Sequence, residues 1–295
     1  MDDPELLTPK QQSNSVRFLY TQRSDFVIGF GRAGNGNKQQ FAGYTNIGVD
    51  VCSPSLSPSK GPTPAPTADQ QYACIPSFKD HDPAYDYSLI TKDKANSAVK
   101  LIYSKMFVGG ELNRAGTHSI TVNGHVYYGS LGSGVWNFNG GSTDLSTLSP
   151  ANYPIDFGYY EWLATKIKPG TYANNRKVFV VDTPKTTGNG CNYYHMFDFL
   201  GQDAQAYDSG KTLIVFTFPQ DICLVDTNPH DRSWGPSVLA PYSKVRLLEQ
   251  AGFSDGTIIA KQFTTYKPWP DHTNSGGTQL QLHGDMYDGP IECED

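Results

Sequence analysis

Apolar residues in this chain come in runs too short for an ordinary helix, and nearly every run is closed by Gly, Pro, Asn or Asp. The clearest stretch is GPSVLAPYSKVRLLEQAGFSDGTIIAKQFTTY, Gly235 to Tyr266. Its three cores, Val238-Leu239, Val245 to Leu247 and Ile258-Ile259, are separated by corners at APYS and EQAGFSDG. Apolar runs of 4 to 8 residues between turn formers read as strands. Three of them within about 27 residues suit one coil of a three-sided parallel β-solenoid, in which each coil buries its inward residues on the coils above and below. Further strands are expected at Val99 to Gly110, His118 to Ser130, Arg176 to Pro184, Lys211 to Pro219 and Asp221 to Thr227. No clean period runs through the whole chain, so the residues alone leave a β-sandwich as the alternative.

One segment has helical periodicity, with Ile155, Tyr159, Trp162, Leu163 and Ile167 at the spacing of one buried face. Pro154 stands near its start and Pro169-Gly170 ends it, which predicts a flanking helix over about 155–168. The expected class is therefore all-β, a right-handed parallel β-solenoid with one helix at its side. Composition agrees: of 295 residues only 18% are charged, against the ~25% usual for soluble domains, while 29 Gly and 20 Pro supply corners. The composition breaks most sharply over Ser53 to Thr67, a Pro/Ser/Thr-rich stretch that reads as an extended surface loop. Residues 1–83 are thus read as an arm, short strands and this loop packed on a main domain at 84–291, with an acidic tail at 292–295.

Several function classes lose ground at this stage. A net charge of −6 with scattered Lys and Arg argues against nucleic acid, which needs a clustered basic surface. No apolar run approaches the ~18 residues of a membrane span, so insertion is not expected. GFGRAG (Gly29, Gly31, Gly34) fits a phosphate-loop pattern, but no amphipathic helix follows to supply a dipole, and it reads as a tight turn. The opening MDDPELLTPKQQSNS lacks the charge-then-apolar pattern of a signal peptide. Cys52, Cys74, Cys191, Cys223 and Cys293 follow no zinc spacing, so neither metal nor another cofactor is expected. Cys52 with Cys74 could tie the base of the Pro-rich loop, Cys191 with Cys223 could form a second bridge, and Cys293 would then be left over for an intermolecular bond or as a free thiol.

Carbohydrate chemistry needs paired carboxylates or a carboxylate beside a base. Candidate clusters are Asp226, His230, Asp231, Arg232 and Trp234; Asp271 and His272; and His283, Asp285 and Asp288. Each is more often a solvated turn than a site. Asp80, Asp82 and Asp86 could hold Ca²⁺ weakly but lack the Gly and closing Glu of an EF-hand loop. Ice binding would need stacked threonines, and Thr186-Thr187 and Thr264-Thr265 are isolated. Tyr127-Tyr128, Tyr159-Tyr160 and Tyr193-Tyr194 could supply interface contacts, although neighbours on a strand face opposite ways and half of each pair should be core.

The order of several segments resembles the choice-of-anchor A family of adhesin-like, β-helical domains. These are SKMFVGGELN (Ser104 to Asn113), YPIDFGYYEWLATKI, YHMFDFLGQDAQAYDSGKTLIVFTFP, GPSVLAPYSKVRLL with GFSDGTIIAKQF, and GGTQLQLHGDMYDGPI. They span roughly residues 84–291. The chain departs from the family after Pro219, where CLVDTNPHDRSWG stands. The resemblance implies a β-helix without a catalytic motif, acting through its surface at the cell exterior, or in an organelle lumen after loss of a targeting peptide. No LPxTG-type or other anchor follows Asp295, so attachment to a surface is expected to be non-covalent or by assembly. The expectation is a non-enzymatic structural or adhesive protein that self-assembles, with other copies of itself as partners and the arm and tail as linkers. Polysaccharide or cell-surface matrix is the alternative partner.

Overall fold

The structure, a computed structural model, describes residues 72–115, 119–185, 191–201, 209–225, 233–248, 253–266 and 280–294, with two strands nearer the N-terminus. Those strands, β1 (Val16–Leu19) and β2 (Val27–Phe30), form an antiparallel pair in which Val16 faces Phe30. The chain divides into Met1–Pro64 and Ala65–Asp295, a boundary inside the Pro-rich stretch. The rest of this section concerns the second unit.

The unit is mostly β. Before its one long helix come β3 (Tyr87–Ser97), β4 (Leu101–Ile102), β5 (Lys105–Arg114), β6 (Ile120–Val122), β7 (Val126–Leu131), β8 (Trp136–Phe138) and β9 (Ser142–Asp144). The helix is α1 (Phe157–Lys166). After it come β10 (Gly170–Tyr172), β11 (Arg176–Val181), β12 (Asn192–His195), β13 (Thr212–Phe216), β14 (Asp221–Val225), β15 (Ser233–Trp234), β16 (Ser237–Leu248), β17 (Phe253–Ser254), β18 (Ile258–Tyr266) and β19 (Gln281–Leu282).

One sheet has the order β10-β11-β13-β16-β18-β3-β5-β7-β9, with β12 and β14 joined to it through β16. The other runs β15-β17-β19-β4-β6-β8. Within both, every pairing except β10 with β11 is parallel. The chain returns to the same ladder at short intervals: Val238 aligns with Ile258, Met106 with Val126 and Val126 with Ser142. Parallel neighbours so close in sequence leave no room for crossover helices, so the connecting segments themselves are strands of the other ladder.

Strand order does not follow chain order. The unit starts in the middle at β3, extends outward to β9, passes through α1, begins again at β10 and β11, and closes when β18 pairs with β3. The expected corner at APYS is corrected: Val238 and Val245 lie in the one strand β16, whose register shifts between Ala240 and Lys244. A bulge lets the backbone bend and keep its ladder, and it accommodates Pro241, which has no N–H to offer.

Alternation along the strands builds two apolar clusters. Leu89, Met106, Val126, Ile214, Val238 and Ile258 point into one, together with Ile102, Val122 and Leu282 of the smaller sheet. Ile90, Phe107, Leu213, Val215, Leu239 and Ile259 point the other way and pack against α1. The helix begins where Asp156 accepts a hydrogen bond from Gly158 N–H. Its buried side chains are Phe157, Tyr160, Leu163 and Ala164. Tyr159 and Trp162, expected to face the core, are half-buried: they pack against the edge of the second cluster and also meet the ring of Tyr72, at 5.7 and 5.9 Å between centroids. Ile155, Leu163 and Ile167 of the expected face are buried, and the buried stripe extends from them to Phe157 and Tyr160.

Both cysteine expectations involving the termini are corrected. Cys74 is bonded to Cys293, not to Cys52, so Cys293 is no spare thiol; Cys52 lies outside the described residues. Cys191 does pair with Cys223. The tail read as a linker is fastened to its own unit: Glu294 N–H donates to Lys166 C=O at 2.7 Å, and Lys168 N–H donates to Glu292 C=O at 2.8 Å. Ile291 N–H likewise donates to Pro76 C=O at 2.9 Å, so residues 72–83 belong with the core.

Candidate functional surfaces

Two surfaces of the unit carry side chains that its core does not consume. The first lies on the outside of the smaller sheet. Ser254, Leu282, Ile102 and Val122 are buried and half-buried Phe138 packs on the same inner side, so the residue following each on β17, β19, β4, β6 and β8 lies on the opposite side of the ladder. Those residues are Asp255, His283, Tyr103, Asn123 and Asn139. The ladder continues through them: Asp255 N–H donates to Trp234 C=O, His283 to Ser254, Tyr103 to Leu282, Asn123 to Ile102 and Asn139 to Val122, at 2.8 to 2.9 Å. They therefore form one straight row, spaced by the ~4.8 Å of neighbouring strands.

The row is internally braced. His283 Nδ1 lies 2.6 Å from Asp255 Oδ1, and Nε2 lies 3.2 Å from Gln281 Oε1. The imidazole stacks on Phe253 at 5.1 Å and meets the edge of Tyr103 at 4.9 Å. Tyr103 remains 46% exposed. Asn139 Nδ2 donates to Asn123 Oδ1 at 3.0 Å, and each amide keeps further donor or acceptor capacity toward solvent. Burial holds the Asp255 carboxyl above the ordinary range, and the hydrogen bond to His283 opposes that shift. A carboxylate hydrogen-bonded to one ring nitrogen fixes the orientation of the imidazole.

The second surface is the end of the stack at β8 and β9, which have neighbours on one side only among the described residues. Leu131 is 42% and Val135 58% exposed there, beside half-buried Trp136 and Phe138. Strand edges with exposed apolar side chains are templates for pairing with another chain.

The clusters singled out in the sequence are dispersed. Asp226, His230, Asp231, Arg232, Asp271, His272, Thr186, Thr187, Gly31 and Gly34 lie outside the described residues, and Gly29 falls in β2. Trp234 is fully buried. Asp82 caps a helical turn and accepts from Tyr160 Oη at 2.6 Å, while Asp86 pairs with Lys105 at 2.8 Å, so these two are occupied structurally. Asp288 forms a two-pronged ion pair with Arg176. Thr264 and Thr265 are buried, and Thr265 Oγ1 accepts from Ala98 N–H.

Among the tyrosines, Tyr160 and Tyr194 are buried and cannot serve an interface; Tyr127, Tyr128 and Tyr159 are half-buried, and Tyr193 is exposed. Sequence reading named His283 but missed Asp255, Phe253 and Tyr103, whose separation from it in the chain hides a contact made only through ladder register. Compared with known families, characterised proteins and solved structures, the chain matches none.

Proposed function

We propose that the second unit is a three-sided parallel β-solenoid of the choice-of-anchor A type, and that it is a non-catalytic structural protein of the cell exterior that joins copies of itself end to end. The carrying observation is the open end of the stack, where β8 and β9 have a neighbour on one side only among the described residues, and where Leu131 at the end of β7 and Val135 just before β8 are exposed. Parallel ladders that recur at 16 to 20 residues, as from Val126 to Ser142 and from Val238 to Ile258, favour coils over a sandwich. Two disulfides suit an oxidising compartment. No helix among the described residues is long and apolar enough to cross a membrane.

Light scattering over a concentration series tests the assembly. Wild-type protein should form higher-order species, and the pair Leu131→Asp and Val135→Asp should shift it to single chains while circular dichroism stays unchanged. A wild-type protein that stays a single chain at every concentration would refute the reading.

A further inference from the structure

We propose that the row Asp255, His283, Tyr103, Asn123 and Asn139 is a binding site for a neutral polysaccharide, independent of the assembly surface. Sugar rings present an apolar face of C–H groups and a rim of hydroxyls, so a site for them pairs an exposed aromatic ring with amides that both donate and accept. Tyr103 supplies the ring. Its orientation is set by the edge contact with His283, which Asp255 and Phe253 hold in turn. A platform fixed before binding loses little conformational freedom when the ligand arrives. Asn123 and Asn139, on the next two rungs, are tied to each other and keep hydrogen-bonding capacity for hydroxyls.

Tyr103, Asn123 and Asn139 are exposed on three successive rungs, with partly exposed His283 beside them and buried Asp255 bracing the row at its end, and neighbouring rungs lie ~4.8 Å apart. That geometry suits an extended chain of sugars lying across the strands more than a single small molecule in a closed pocket. Charge restricts the choice further. The row carries no Lys or Arg, its one carboxylate is Asp255, and the whole chain has net charge −6, so acidic polysaccharides are repelled. Ice is disfavoured by shape, because Tyr103 and His283 are large rings standing among shorter amides and the row is not flat.

The experiment uses the full chain and four probes: insoluble β-glucan, chitin, soluble mannan and the polyanion alginate, by co-sedimentation and affinity electrophoresis, with an ice-recrystallisation assay alongside. Retention by at least one of the three neutral glycans is expected, with alginate excluded. Tyr103→Ala should weaken that retention at least about tenfold, as loss of a central aromatic contact does. Asn139→Ala, on an exposed position that folding does not depend on, should weaken it several-fold. Leu131→Asp with Val135→Asp should bind the glycan as wild type does, which separates this site from assembly. The proposal is overturned if none of the three neutral glycans is retained, if Tyr103→Ala binds as tightly as wild type, if alginate binds more tightly than they do, or if a Tyr103-dependent effect on ice replaces glycan binding.

Discussion

At Gly110, between the two halves of β5, a Cβ would stand 1.9 Å from the carbonyl oxygen of Asp93 on the neighbouring strand. No side chain fits there without moving backbone, so Gly110→Ala should cost about 1–3 kcal/mol in denaturant unfolding. Gly235 has nothing within 4 Å of the same position, and Gly235→Ala should stay within about 0.5 kcal/mol. Equal effects at the two sites would mean that the rungs are not in close contact at that corner. The Arg176–Asp288 pair works through charge. Its bonds of 2.7 and 2.8 Å hold the Asp288 carboxyl below the ordinary range. A lowered carboxylate pKa contributes stability that is present above the unfolded value and is lost as pH falls through the folded value. Asp288→Asn should therefore cost about 1.5–3 kcal/mol near neutrality and flatten the acid side of a stability-against-pH curve. An unchanged acid limb would assign the acid sensitivity to other groups.

The same logic governs whole elements. The existence of α1 was legible from its apolar spacing and from Pro154 and Pro169, and so was much of its buried face, since Ile155, Leu163 and Ile167 are buried; Phe157 and Tyr160 were not singled out, and Tyr159 and Trp162 are shared between the core edge and Tyr72. Cysteine pairing shows the limit more sharply. Cys74 and Cys293 are 219 residues apart, and only the antiparallel bridge between Ile167 and Cys293 brings the chain end to the helix terminus. Loop-closure entropy for a loop of that length gives on the order of 5 kcal/mol. A non-reduced digest should yield a peptide joining Cys74 to Cys293, and replacing both by Ser should lower the melting temperature. A digest joining Cys52 to Cys74 would contradict the fold at the terminus.

For the unit as a whole, the decisive contact is β18 with β3, which joins the last ladder of the chain to the first. A chain ending at Lys168 keeps β3 to β9 and α1 but leaves the edge of β3 unpaired, with Leu89 and Ile90 losing their neighbours Ile258 and Ile259. Such a fragment should be insoluble or associate through that edge, where the complete chain should melt in one cooperative step. A soluble, monomeric, folded fragment would show that the two halves are separate folding units.

By itself the sequence determined that this is a strand-rich chain with one flanking helix, because short apolar runs closed by turn formers and a helical apolar spacing are local properties of the chain. It also held His283 up for inspection. Tertiary structure alone decided which strands are neighbours, which cysteines meet, and that His283 stands between Asp255, 28 residues before it, and Tyr103, 180 residues before it. Ladder neighbours are set by register between segments distant in the chain, and that register follows from burying both faces of the larger sheet at once, a condition no local stretch of residues can express.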